Sequence, residues 1–248
     1  MGAAIAIGFL VAYVTITGLP PFPPRSSSQK LAYVILLGLI LGIAWGLLRI
    51  PRPANLITMF VAAAAGVAWL AQPKLKSPEL ATLLPIAILW IAGSVALMRL
   101  SASRGDYPDG AMMLVLAAMG LAVVAFFGRS ASMLQFGGAL AASAGGFVLC
   151  AWFMPSFRLG QAGIYGGGIA LLSIATVLAL YTKSSLLALA VLILVFFLDS
   201  VVERLPASAG TLGRILRPVW MGVLALVPLA GAAGIAYMMS SGSAGGGY

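Results

Sequence analysis

Apolar residues gather in nine long runs along the chain, at residues 2–18, 31–48, 54–72, 80–98, 111–127, 132–154, 162–181, 185–202 and 218–239. A helix crosses the hydrocarbon core of a bilayer with about 20 mostly apolar residues, in a range of about 17–25. All nine runs fit that length. None alternates apolar with polar positions as barrel strands do, so helices are the remaining way to satisfy the backbone in lipid. The pattern predicts an all-α, polytopic integral membrane bundle of about nine transmembrane helices. The weakest divisions are the short first run and the break at Thr182, Lys183 and Ser184, and loss of one would leave eight.

The breaks between runs combine a helix breaker with a cation. Arg49, Pro51, Arg52 and Pro53 form one such break, and Pro73, Lys74, Lys76 and Pro78 another. Gly128 with Arg129, and Pro155 with Arg158, repeat the device. Proline stops the helix, and the cation falls where headgroups can receive it. Short connections predict that sequential helices pack as antiparallel neighbours. The first run lacks the basic start and small-residue cleavage site of a signal peptide, so it reads as a retained helix. It leads into Pro20, Pro21, Pro23 and Pro24, which favour an extended polyproline connector. Residues 1–239 thus read as one transmembrane domain. Residues 203–217 could lie in the interface as an amphipathic segment, and the Gly- and Ser-rich residues 240–248 read as a flexible tail.

Composition reinforces the pattern. Of 248 residues, 62% are hydrophobic and 8% charged, against roughly 25% charged in a soluble domain. So little charge cannot keep a globule of this size in water. The net charge of +9 comes from single or paired cations at the ends of apolar runs. That placement suits membrane lipids with anionic headgroups and argues against nucleic acid. Counting Lys and Arg by connection puts eight on the side of the N-terminus and six on the other. The positive-inside rule then favours N-in and C-out, in a cell membrane of the bacterial inner-membrane type.

Chemistry is sparse. The chain has no histidine and a single cysteine, Cys150. Histidine-ligated haem or pigment, zinc–histidine hydrolysis and Ser–His or Cys–His nucleophiles are therefore excluded, and no cofactor, metal site or catalytic residue is expected. Asp199 and Glu203 lie one helical turn apart beside Arg204 at the end of the eighth run. They read as a headgroup-level ion cluster, with an ion or proton site as the sharper alternative. Asp106 and Asp109 read as a loop turn.

Small residues form the other pattern. Gly38, Gly42 and Gly46 recur every fourth residue in the second run, as do Gly137, Ala141, Gly145 and Gly138, Ala142, Gly146 in the sixth. Such stripes let a second backbone approach closely, within the bundle or from a neighbouring subunit. The glycines at 160, 163 and 166–168 lack the spacing of a phosphate loop and read as close packing or a local break. With no charge near the middle of any run, the sequence points to a non-catalytic scaffold or accessory subunit packing against other integral membrane proteins. The alternative is a transporter or channel for an uncharged or lipid-like substrate, lined by Thr58, Ser94, Gln135, Ser143, Ser173 and Thr176.

Overall fold

The computed structural model describes residues 1–48, 50–76, 79–103, 108–154, 157–204 and 210–242, with backbone alone for 210–215 and 242. Its helices run in order α1 (Ala3–Thr17), α2 (Ser27–Leu48), α3 (Arg52–Leu75), α4 (Leu80–Ala102), α5 (Asp109–Phe127), α6 (Ala131–Phe153) and α7 (Gly160–Tyr181). There follow α8 (Leu186–Val191), a 3-10 stretch (Leu192–Phe197), α9 (Leu198–Val202) and α10 (Gly210–Gly242). No strand occurs among the described residues. The all-α bundle read from the sequence is the fold. We call the end that holds the starts of α1, α3, α5, α7 and α10 the near end, and its opposite the far end.

Seven helices are long and apolar enough to span: α2 to α7 and the part of α10 at Leu216–Ser241. The first and eighth runs are shorter than the sequence pattern implied. α1 ends where Gly18, at φ 80°, caps it onto the Val14 carbonyl, leaving 15 helical residues. At 1.5 Å per residue that is about 22 Å, against a hydrocarbon core of about 30 Å. The eighth run, Leu186–Val202, is broken by its 3-10 stretch. The larger rise of 3-10 geometry extends these 17 residues to about 28 Å, longer than a uniform α-helix would reach. The tail assignment also shifts. Ser240 to Gly242 belong to α10, as do Thr211 to Arg217, and residues 243–248 lie outside the described residues.

α7 is the hub. Over an 18-residue stretch of α7, 83% of residues are buried, against 22% over the same length of α4. Lipid is as apolar as leucine, so burial alone does not drive helices together; close van der Waals packing must. The glycines of α7 permit it. A Cβ on Gly166 would lie 2.6 Å from Ala6 Cβ of α1, and one on Gly168 would lie 2.5 Å from Leu97 Cδ2 of α4. A Cβ on Gly163 would sit 3.2 Å from the Gly2 Cα. The glycine-rich start of α7 is therefore an unbroken helix closed in by its neighbours.

Buried polar groups are matched to local backbone defects. Pro73 lies inside α3 and has no N–H, which deprives the Trp69 carbonyl of its helical partner. Lys30 of α2, itself buried, donates to that carbonyl at 3.3 Å and to Gln72 Oε1 at 2.7 Å. Ser27 and Tyr181 hydroxyls both donate to the next carbonyl, Leu70, at 3.3 and 2.9 Å. The positive end group also suits the C-terminal end of the α3 dipole. At the near end Tyr165 of α7 donates its hydroxyl to Asn55 Oδ1 of α3 at 2.9 Å. The proline connector after α1 is non-helical, with a cis Phe22–Pro23 bond, and Tyr33 anchors it by donating to Pro20 O at 3.0 Å.

Candidate functional site

Among the described residues, Asp199 and Asp109 of the near end meet arginines from distant helices, while Asp106 lies outside the described residues. Asp199, at the start of α9, does not pair with neighbouring Arg204. It receives Arg99 Nη2 of α4 at 2.5 Å, and its own Oδ1 accepts the Ser200 N–H at 2.7 Å. Arg99 also donates from Nη2 to Ser200 Oγ at 2.7 Å and from Nε to the Phe196 carbonyl at 3.0 Å. Its guanidinium carbon stands 4.8 Å from the Phe197 ring centroid. One side chain therefore neutralises a carboxylate and supplies a donor to the backbone at the end of the 3-10 stretch. Protein groups thus supply the hydrogen-bond partners that an irregular backbone in an apolar bundle lacks.

A second, deeper pair links α5 to α10. Asp109 is the first residue of α5, not part of a free loop, and is 1% exposed. Arg217 of α10 approaches it with Nε at 2.9 and 2.8 Å from the two carboxylate oxygens and Nη2 at 2.6 Å from Oδ2. Glu203 lies 3.6 Å from the same Nη2. The carboxylate of Asp109 also sits in the first turn of α5, where the helix dipole favours it. The two networks join α4, α5, α9 and α10 at one level of the bundle.

Sequence reasoning passed over the Asp109–Arg217 pair. A signal for it was present, because four of the five acids, Asp106, Asp109, Asp199 and Glu203, lie in connections or run ends on the near side. Counting cations alone, as the orientation rule does, hides that the near end is where compensation can occur.

The small-residue stripes divide. A Cβ on Gly42 would lie 2.7 Å from Gln161 O and 2.8 Å from Ala162 Cα of α7. One on Gly38 would lie 2.9 Å from Ile169 Cδ1 and 3.2 Å from Tyr165 O, so both glycines set the α2–α7 crossing. Gly46 has only Gln161 Cβ, at 3.9 Å. In α6, Gly137 faces the Ala122 backbone of α5 at 3.0 Å. Gly138, Ala142 and Gly146 are exposed, and a Cβ on either glycine would meet nothing within 4 Å.

The polar candidates for a pathway are not gathered. Thr58, Ser94, Ser143 and Thr176 each donate to the carbonyl four residues back in their own helix, at 2.7–2.8 Å. Ser173 is buried in α7, while Gln135 is exposed on α6. Beside the broken eighth segment lies an apolar crevice of about 70 Å³, lined by Gly93, Leu121, Leu172, Leu192 and Phe196 among others. None of the six polar candidates lines it.

The geometry gives Asp199 a larger structural role than an exposed ion pair. Asp199→Asn removes the charge on which Arg99 is centred but keeps a side-chain oxygen in place. A charged hydrogen bond contributes about 1.5–3 kcal/mol, and the melting temperature in detergent should fall accordingly. Arg204→Gln, at an exposed position, should leave the melting temperature unchanged. Equal melting of Asp199→Asn and the unsubstituted protein would show that the α4–α9 pair holds nothing.

Seven apolar spans threaded back and forth through one bundle, with ion pairs at the span ends, define a multi-pass membrane protein. Compared with known families, curated proteins and solved structures, the chain matches none.

Proposed function

We propose that this protein is a non-catalytic subunit of a membrane complex, of the bacterial inner-membrane type, that docks a neighbouring membrane protein against the outer face of α6. The observation that carries the reading is the open row Gly138, Ala142 and Gly146. Gly38 and Gly42 of α2 and Gly163, Gly166, Gly167 and Gly168 of α7 are buried within the bundle; this row is not covered. A small-residue face at four-residue spacing is the surface on which a second transmembrane helix packs most closely. An apolar groove of about 380 Å³ between α5, α6 and α10, lined by Gly145, Val148, Trp152 and Gly222 among others, adjoins it. The polar groups of the bundle support the same reading, since Asp109 and Asp199 are joined to arginines and four of the six hydroxyl or amide candidates bond their own helices.

Transport of an uncharged solute draws on the broken eighth segment, because discontinuous helices line many transport sites. The crevice beside it is small, however: 70 Å³ against about 300–1,000 Å³ for ligand pockets.

The test is purification in a gentle detergent, with and without Ala142→Leu or Gly146→Leu. Both positions face open space, so the chain should accumulate and melt as before while a stoichiometric membrane partner is lost. A partner retained through both substitutions would place docking elsewhere. A chain that migrates alone and moves a solute into liposomes would overturn the subunit reading.

A further inference from the structure

The far end has the opposite electrostatic character from the near end. The helix ends and connections there carry Arg25, Lys30, Lys74, Lys76, Arg129 and Lys183 against one acid, Glu79. Three of these cations converge. Lys74 from the last turn of α3, Arg129 from the α5–α6 turn and Lys183 from the α7–α8 connection line one cleft of about 760 Å³. Ser130, Tyr181, Thr182 and Ser240 line it too, as do Phe127 and Leu180. No acid lines the cleft, and among the described residues no ion pair engages these three cations.

The walls of the cleft are set by the backbone. Arg129 has φ 54°, the left-handed region that an L side chain seldom adopts. It occupies the position after the α5 C-cap where glycine is usual: its N–H reaches Phe126 O at 3.1 Å and the next N–H, of Ser130, reaches Ala125 O at 3.0 Å. The glycine of the pair stands one residue earlier, at 128, where an added Cβ would collide with Ser184 Oγ of the α7–α8 connection. Ser184 Oγ in turn lies 2.7 Å from Thr182 Oγ1, a lining group. So the turn bearing Arg129 is clamped to the segment bearing Thr182 and Lys183. A strained, charged residue in a turn held by its surroundings is a mark of a functional position.

We infer that this far-end cleft binds a phosphate-bearing anion, and that the anion is the headgroup of an acidic phospholipid. Three like charges gathered without a counter-ion repel one another, and an anion among them removes that repulsion. The Ser130 hydroxyl can donate to a phosphate oxygen beside the three cations, the combination that basic headgroup pockets use, while the hydroxyls of Tyr181, Thr182 and Ser240 donate to the Leu70, Leu178 and Tyr237 carbonyls. Lipid is favoured over free phosphate because the cleft lies at the ends of membrane spans, where headgroups lie. Phe127 and Leu180 add apolar lining for the glycerol and first methylenes. The inference is independent of the α6 docking face, which lies on a different surface.

The experiment uses the full chain in dodecyl maltoside, titrated separately with dioctanoyl phosphatidylglycerol, dioctanoyl phosphatidylcholine and inorganic phosphate. Lipid retention is followed by native mass spectrometry and stability by melting temperature. Phosphatidylglycerol should bind saturably and raise the melting temperature, while phosphatidylcholine should do neither. The variant Lys74→Gln/Arg129→Gly/Lys183→Gln should lose about a hundredfold in phosphatidylglycerol affinity, roughly a factor of five per cation. Its lipid-free melting temperature should not fall, because Arg129→Gly relieves the left-handed backbone. Lys76→Gln, outside the cleft, should bind as the unsubstituted protein does. Equal binding by the triple variant, or equal binding of phosphatidylcholine, would overturn the site. Stabilisation by inorganic phosphate alone would overturn the lipid assignment.

Discussion

Gly42→Leu is expected to abolish folding, leaving little or no monodisperse protein after extraction. The first carbon of the new side chain would lie within 2.7–2.8 Å of two backbone atoms of α7. Side chains can rotate away from such an intrusion; a helix backbone cannot, except by moving the whole helix. Overpacking in a yielding core costs about 1–3 kcal/mol, and here the hub helix would have to shift against every neighbour it has. Total stability is only about 5–15 kcal/mol, so a loss above the yielding-core range removes a large fraction of it. Gly46→Leu, one turn along the same stripe, is the internal control, with its nearest neighbour at 3.9 Å. It should accumulate normally. Detergent extraction followed by size-exclusion chromatography at several temperatures reads both. Equal profiles for the two variants would mean that the α2–α7 crossing is not set by Gly42.

That contrast marks how far the sequence could be read. The four-residue spacing of Gly38, Gly42 and Gly46 is visible as a stripe, but spacing does not say which members touch a neighbour. The helix partner is chosen by the three-dimensional arrangement, and α2 crosses α7, five elements later in the chain. The same limit applies to α6, whose two adjacent rows look alike in sequence. One begins at Gly137 against α5; the other, Gly138 to Gly146, is open. Spans were legible because lipid imposes a length and a composition on each of them independently. Charge pairing was not, because Arg99 and Asp199 are 100 residues apart, and Asp109 and Arg217 are 108 apart. The sequence reading placed Asp199 with its neighbour Arg204 because only local partners are visible without topology. The far-end cleft was hidden for the same reason: Lys74, Arg129 and Lys183 each look like an ordinary headgroup cation until three connections are brought side by side.

Asp109→Ala is expected to lower stability by about 3–5 kcal/mol, because it leaves the Arg217 guanidinium buried with its principal counter-charge removed. Asp109 and Arg217 are 1% and 3% exposed, so water cannot replace the missing carboxylate. Glu203 is too distant to take over fully at 3.6 Å, and its side chain is 37% exposed. Removing both charges together gives a different result. Desolvating two ions offsets much of their attraction, so an apolar pair of similar volume is often neutral or better. Asp109→Leu/Arg217→Met should therefore recover most of the stability that Asp109→Ala loses, and Glu203→Gln alone should change little. Thermal unfolding of the four proteins in one detergent completes the comparison. If Asp109→Ala melted with the unsubstituted protein, the bidentate pair would be incidental to the fold. If the apolar double variant melted no higher than Asp109→Ala, the pair would instead be needed for itself, and a charged, proton-responsive role for Asp109 would replace the structural one.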